Sequence, residues 1–97
     1  MLKSENTTEK ILNYRVIIEP ETYEDGSTVY VAQCPTLGIS DYGDTIEKAI
    51  EHMQRGMKLY INTLIVENLP VPEQDHEGFF ITNQKVSIQA HSNSLQL

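Results

Sequence analysis

Residues 43–64 read GDTIEKAIEHMQRGMKLYINTL, and this stretch decides the fold. Ile46, Ala49, Ile50, Met53, Met57, Tyr60, Ile61 and Leu64 recur at i, i+3, i+4, i+7, the period of a helix with one apolar face. Glu47, Lys48, Glu51, His52, Arg55 and Lys58 fall on the other side. Gly43-Asp44-Thr45 reads as the helix entry. Asp44 with Glu47 fits a capping box, Thr45 is the alternative N-cap, and Glu47 suits the positive end of the helix dipole. Glu51 and Arg55 are spaced for a favourable i, i+4 pair. Gly56 costs about 1 kcal/mol relative to Ala inside a helix, and a close approach of helix to sheet is the simplest reason for it.

Towards the N-terminus the period changes from helical to alternating. Tyr14-Arg15-Val16-Ile17-Ile18-Glu19 is β-branched and aromatic and is expected to stop at Pro20. Tyr14, Val16 and Ile18 share one face, and Arg15, Ile17 and Glu19 the other, which suits a sheet covered on one side only. Asp25-Gly26 supplies a turn, and Thr28-Val29-Tyr30-Val31-Ala32-Gln33 returns as the antiparallel partner, ended by Pro35. Gly38 permits a bend before a short third strand at Ile39-Ser40-Asp41-Tyr42. Beyond the helix, Leu69-Pro70-Val71-Pro72 ends the helical region. Phe79-Phe80-Ile81 and Lys85-Val86-Ser87-Ile88 can be extended, and the second is expected to add a strand. The expected fold is therefore α+β: a small antiparallel sheet of three to four strands packed on one long helix, in the order β-β-β-α-β. Residues 1–13 form an N-terminal extension, residues 14–88 the domain, and residues 89–97 a polar tail.

Composition limits the function classes. At 97 residues the chain is expected to form one domain with one modest core. The net charge of −7, with only seven scattered Lys and Arg, argues against direct nucleic-acid binding. An acidic surface suits a basic protein partner, although solubility alone also accounts for it. Cys34 stands alone, so no intramolecular disulfide is possible; with no apolar run at the start, the expected compartment is the cytoplasm. No stretch approaches the roughly 20 apolar residues of a membrane span.

Catalytic signatures are weak. Cys34 precedes Pro35 with no His nearby in sequence, and reads as a small buried residue. His52 on the polar helix face, His76 in a loop and His91 in the tail lack metal-ligand spacing, so no metal or other cofactor is expected. Glu19, Asp41, Asp44 and Glu47 are the candidate carboxylate cluster for a two-metal nuclease, but Asp44 and Glu47 already have capping roles. No enzymatic activity is expected. Tyrosines offer a better lead, because their large rigid bodies and polar tips are enriched in protein interfaces. Tyr23 and Tyr42 lie in or beside loops; with the neighbouring acids Asp41 and Asp44 they are the candidate partner-binding residues, Tyr60 being assigned to the core. The open edges of so small a sheet also favour pairing with another chain.

The ordered series Tyr14-Arg15-Val16-Ile17-Ile18-Glu19-Pro20, Asp25-Gly26, Val29-Tyr30-Val31-Ala32, Cys34-Pro35-Thr36-Leu37-Gly38, Gly43-Asp44-Thr45-Ile46-Glu47-Lys48-Ala49-Ile50, Leu59-Tyr60-Ile61 and Val71-Pro72 resembles the HicB family of type II antitoxins. The resemblance implies a degenerate RNase H-like fold, a dimer or tetramer, and binding to a HicA-type toxin, a small basic ribonuclease that cleaves mRNA. The chain departs from the family at Leu37-Gly38-Ile39, where many relatives carry Leu-Pro-Gly-Cys. Nine residues follow Ile88, too few for the DNA-binding module of longer relatives, so operator binding is not expected of this stretch. The leading expectation is a HicB-like domain that neutralises such a toxin. The alternative is an orphan oligomeric domain that binds another protein or a ligand.

Overall fold

The computed structural model of the protein describes residues 8–90. Three antiparallel strands, β1 (Ile17–Thr22), β2 (Thr28–Cys34) and β3 (Ile39–Gly43), precede one helix, α1 (Ile46–Val66). The sheet order is β1-β2-β3, so β2 is central and the other two are edges. This is the α+β arrangement read from the sequence. Ile18 pairs with Ala32, which pairs with Asp41; Glu19 pairs with Val31, which pairs with Tyr42. Since side chains alternate along a strand, one register places Ile18, Tyr30, Ala32, Cys34 and Ile39 under the helix. The other face carries Ile17, Glu19, Glu21, Val29, Val31 and Tyr42.

Pro20 does not end the first strand. It lies inside β1, opposite Tyr30, and β1 continues to Thr22. An edge strand tolerates a residue without a backbone donor, because one side of its ladder has no partner to receive that donor. The turn that follows has Gly26 at φ 90°. The Asp25 Oδ1 accepts from Ser27 N at 2.9 Å and from Ser27 Oγ at 2.7 Å.

The core consists of Tyr14, Ala32, Cys34, Leu37, Ala49 and Met53, with Leu12, Val16, Ile18, Tyr30, Ile39, Met57 and Ile61 packed around it. The helix crosses β3 and β2. Its closest approach is at Gly43, where an added Cβ would stand 2.5 Å from Ala49 N and 2.7 Å from Lys48 C. At Gly56 the nearest atom would be Asp41 Oδ2, 3.9 Å away. The close helix–sheet contact expected at Gly56 is therefore made at Gly43, because the helix starts directly over the last residue of β3 and Gly56 faces a looser edge.

Thr45, not Asp44, caps the helix: its Oγ1 accepts from Lys48 N at 3.0 Å. The helix ends in a left-handed residue, Asn68, at φ 61°. Asn68 N donates to Ile65 O and Leu69 N to Leu64 O, the paired bonds that satisfy terminal carbonyls. The expected Glu51–Arg55 pair is replaced by Lys48–Glu51 at 3.6 Å, both exposed and so of small value.

After the helix the chain returns to the start of the sheet. Tyr14 Oη donates to Pro72 O at 2.5 Å, and Asp75 N donates to Asn13 O at 2.8 Å. The Asp75 carboxylate accepts from Arg15 N at 2.8 Å and from Thr36 Oγ1 at 2.7 Å. One side chain thus ties together three segments distant in sequence. The strand expected at Lys85-Val86-Ser87-Ile88 does not form. Among the described residues no fourth strand is present, and Phe80, Ile81, Val86 and Ile88 are exposed. The expected tail at residues 89–97 lies largely outside the described residues, as does His91.

Candidate functional site

The helix covers one face of the sheet and leaves the other open. Along that open face Ile17, Val29 and Val31 are only half-buried, and Glu19, Glu21 and Tyr42 are exposed. Tyr42 is 61% exposed, and Tyr23, which leaves β1 on the same side, is 50% exposed. The Tyr23 hydroxyl is pushed above its ordinary 10.0, first by partial desolvation and then by the charge and hydrogen bonding of Glu21, with Tyr42 adding to the effect. Two tyrosines and a carboxylate therefore sit close enough to influence one another. Around them lie β-branched side chains whose other side is already held by the sheet. The result is a fixed amphipathic surface with negative charge at its margin.

The four candidate residues do not form one cluster. Tyr23 and Tyr42 share the open face. Asp41 points to the helix side, half-buried, with Oδ1 accepting from Tyr42 N at 2.8 Å. Asp44 is exposed in the bend before the helix. The pleat also puts Glu19 on the opposite face from Asp41, two strands away, so the carboxylates considered for metal-dependent cleavage diverge. Among the described residues no group of three or more metal-ligating side chains comes together. Cys34 is free and buried within the core. His52, on the polar helix face, is half-buried, and its Nδ1 lies 2.7 Å from Tyr42 O, tying the helix to β3.

Two features were not legible from the sequence. The first is the Asp75 clasp. Hydrogen bonds from Arg15 N and Thr36, with the positive charge of Arg15 and His76 nearby, hold its carboxyl below the ordinary 3.8 against some desolvation. The second is an open apolar groove of about 790 Å³ on the helix side, beyond the β1 edge. Val16 and Ile18 form one wall, and Ile50, Met53, Met57 and Ile61 the other. The signal for it was present in part: the helix's apolar stripe is wider than three strands can cover.

Comparison with known proteins adds one relationship. The chain is 44% identical over 70 residues to the UPF0150 protein ssr1765 of Synechocystis sp. (strain ATCC 27184 / PCC 6803 / Kazusa), a match spanning 71% of this chain and 84% of that protein. No family model matches the chain, and no solved structure matches it. No described helix is long and apolar enough to cross a membrane.

Proposed function

The chain belongs to the UPF0150 family, and from that premise we propose that it is a HicB-like antitoxin domain that binds and neutralises a HicA-type mRNA-cleaving toxin through the open face of its sheet. UPF0150 is a family associated with HicB-like antitoxins, and the ordered residue series from Tyr14 to Pro72 resembles theirs. The observation that carries the reading is the open face itself: Tyr23 and Tyr42 exposed beside Val29 and Val31, with Glu19 and Glu21 along one strand. Tyrosine anchors surrounded by acidic residues suit a small basic protein. A standard interface of roughly 800 Å² per partner is within reach of a domain this size. Inhibition then needs no chemistry from this chain, only occlusion of the toxin's RNA-binding surface. In this reading the protein acts in the cytoplasm, assembles with itself, and contacts no nucleic acid directly.

The test is a titration against a HicA-type ribonuclease from the same organism, in a catalytically inactive form. Replacing both Tyr23 and Tyr42 with Ala is expected to weaken binding by roughly 30-fold or more, the range of interface anchors. Glu19→Lys with Glu21→Lys is expected to slow association and flatten its salt dependence. Wild-type affinity in both variants would remove the open face from the interface.

A further inference from the structure

Among the described residues the chain carries an apolar arm with nothing packed beneath it and an open apolar groove, one end of which is lined by residues 9–14. Beyond Phe79 the arm is extended, with Phe80 90% and Val86 79% exposed. Its sequence alternates: Val86 and Ile88 fall on one side, Lys85 and Ser87 on the other, the pattern of a strand half-buried in a sheet. The groove between β1 and α1 is lined by Val16, Ile18, Met57 and Ile61, and it runs beside the free edge of β1. An unpaired strand edge next to an apolar trough is a receptor for an added strand, with the edge giving hydrogen bonds and the trough taking alternate side chains.

We propose that the arm, residues 80–90, of one copy adds to the β1 edge of a second copy and fills its groove, while that copy's arm does the same in return. One observation favours exchange over closure within one chain, and two more suit pairing between copies. The arm leaves its own body on the wrong side. Phe79 lies under the Arg15 guanidinium, 3.4 Å from the ring centroid, on the open-face side of the sheet, whereas the groove opens on the helix side. The charges are complementary. Residues 79–97 hold one Lys and no acid, while residues 1–78 hold all fourteen acids of the chain, so a body attracts a foreign arm where two bodies repel. The area is adequate as well. The four large apolar arm side chains, Phe80, Ile81, Val86 and Ile88, expose on the order of 500 Å² per copy, taking roughly 150–250 Å² for a whole aromatic. Reciprocal exchange buries twice that from the arms, and the groove walls they cover bring the total into the roughly 1,200–2,000 Å² of a stable interface. Pro20 offers no donor, so the new ladder is confined to residues 16–19, a length that matches residues 85–88.

The arrangement is two-fold symmetric and closed, so it stops at a dimer. It leaves the open face of each sheet free, and it stands or falls separately from the toxin reading. The experiment is sedimentation of the full chain against a full-length variant carrying Phe80→Asp, Val86→Asp and Ile88→Asp, with far-ultraviolet circular dichroism to show that both are folded. A dimer for the wild type, weakened tenfold or more in the variant, is the expected result. A monomeric wild type, or an undiminished dimer in the variant, would overturn the proposal. A second measurement distinguishes exchange from closure: a chain bearing Val86→Cys is mixed with one bearing Lys58→Cys and oxidised. A covalent heterodimer supports exchange. Efficient cross-linking only when both substitutions share one chain, unchanged on dilution, refutes it.

Discussion

Two glycines should respond to the same substitution with opposite sign. At Gly43 an added methyl group would meet the helix backbone, 2.5 Å from Ala49 N and 2.7 Å from Lys48 C. Neither atom can turn aside as a side-chain tip does. Relief requires the first turn of α1 to rise by roughly 0.9 Å, the distance from 2.5 Å to the 3.4 Å at which ordinary contact begins. That movement would loosen Ala49 and Met53, the helix's two buried side chains. Overpacking of this kind costs about 1–3 kcal/mol. At Gly56 the new methyl group would find only Asp41 Oδ2, at 3.9 Å. There the helical preference of Ala over Gly dominates and stabilises by about 1 kcal/mol. The two variants should therefore differ by about 2–4 kcal/mol. Each kcal/mol moves Tm by roughly 4–8 °C in a domain of this size. Thermal unfolding at one fixed protein concentration, which holds any self-association constant, should place Gly43→Ala below the wild type and Gly56→Ala above it. A neutral Gly43→Ala, or a Gly56→Ala that destabilises as much, would refute the placement of the helix on β3.

Three further outcomes follow from the same contacts. Thr45→Ala removes the Oγ1 acceptor for Lys48 N and should cost about 1 kcal/mol in denaturant unfolding, while Thr45→Asp retains most of the stability. Met53→Ala empties the centre of the core, where Met53 is fully buried, and should cost about 2–5 kcal/mol by the same measurement. Asp75 has a carboxyl pKa held below its ordinary 3.8, so its ionised form stabilises the fold above that value and the contribution is lost as pH falls through the lower folded value. The wild type should therefore lose stability on acidification below about pH 4. Asp75→Asn should be less stable at neutral pH and show a shallower loss there, as read from Tm against pH.

Local patterning carried most of the fold. The period of 3.6 from Ile46 to Leu64 and the alternation around Val16 and Val29 describe side chains that face one core, so each element was legible on its own. What escaped was set by neighbours in space. Pro20 stays in its strand because β1 is an edge, and edge position is a property of the whole sheet. The tight glycine is Gly43 and not Gly56 because the crossing point depends on where the helix lies. Asp75 reaches Asn13, Arg15 and Thr36 across a sequence separation that no local pattern marks. The residues from Lys85 to Ile88 have the pattern of a strand but no partner within the described chain. For the candidate site the same distinction holds. Tyr23 and Tyr42 share the uncovered face, whereas the pleat sends Asp41 to the helix side and the turn leaves Asp44 apart.

The most direct test of the antitoxin reading is RNA cleavage by a HicA-type ribonuclease from the same organism, measured while this protein is titrated in. Cleavage should cease near one equivalent of wild-type protein and persist at several equivalents of the Tyr23→Ala, Tyr42→Ala double variant, whose Tm should match the wild type. Unabated cleavage in the presence of wild-type protein, or equal inhibition by the double variant, would contradict the account.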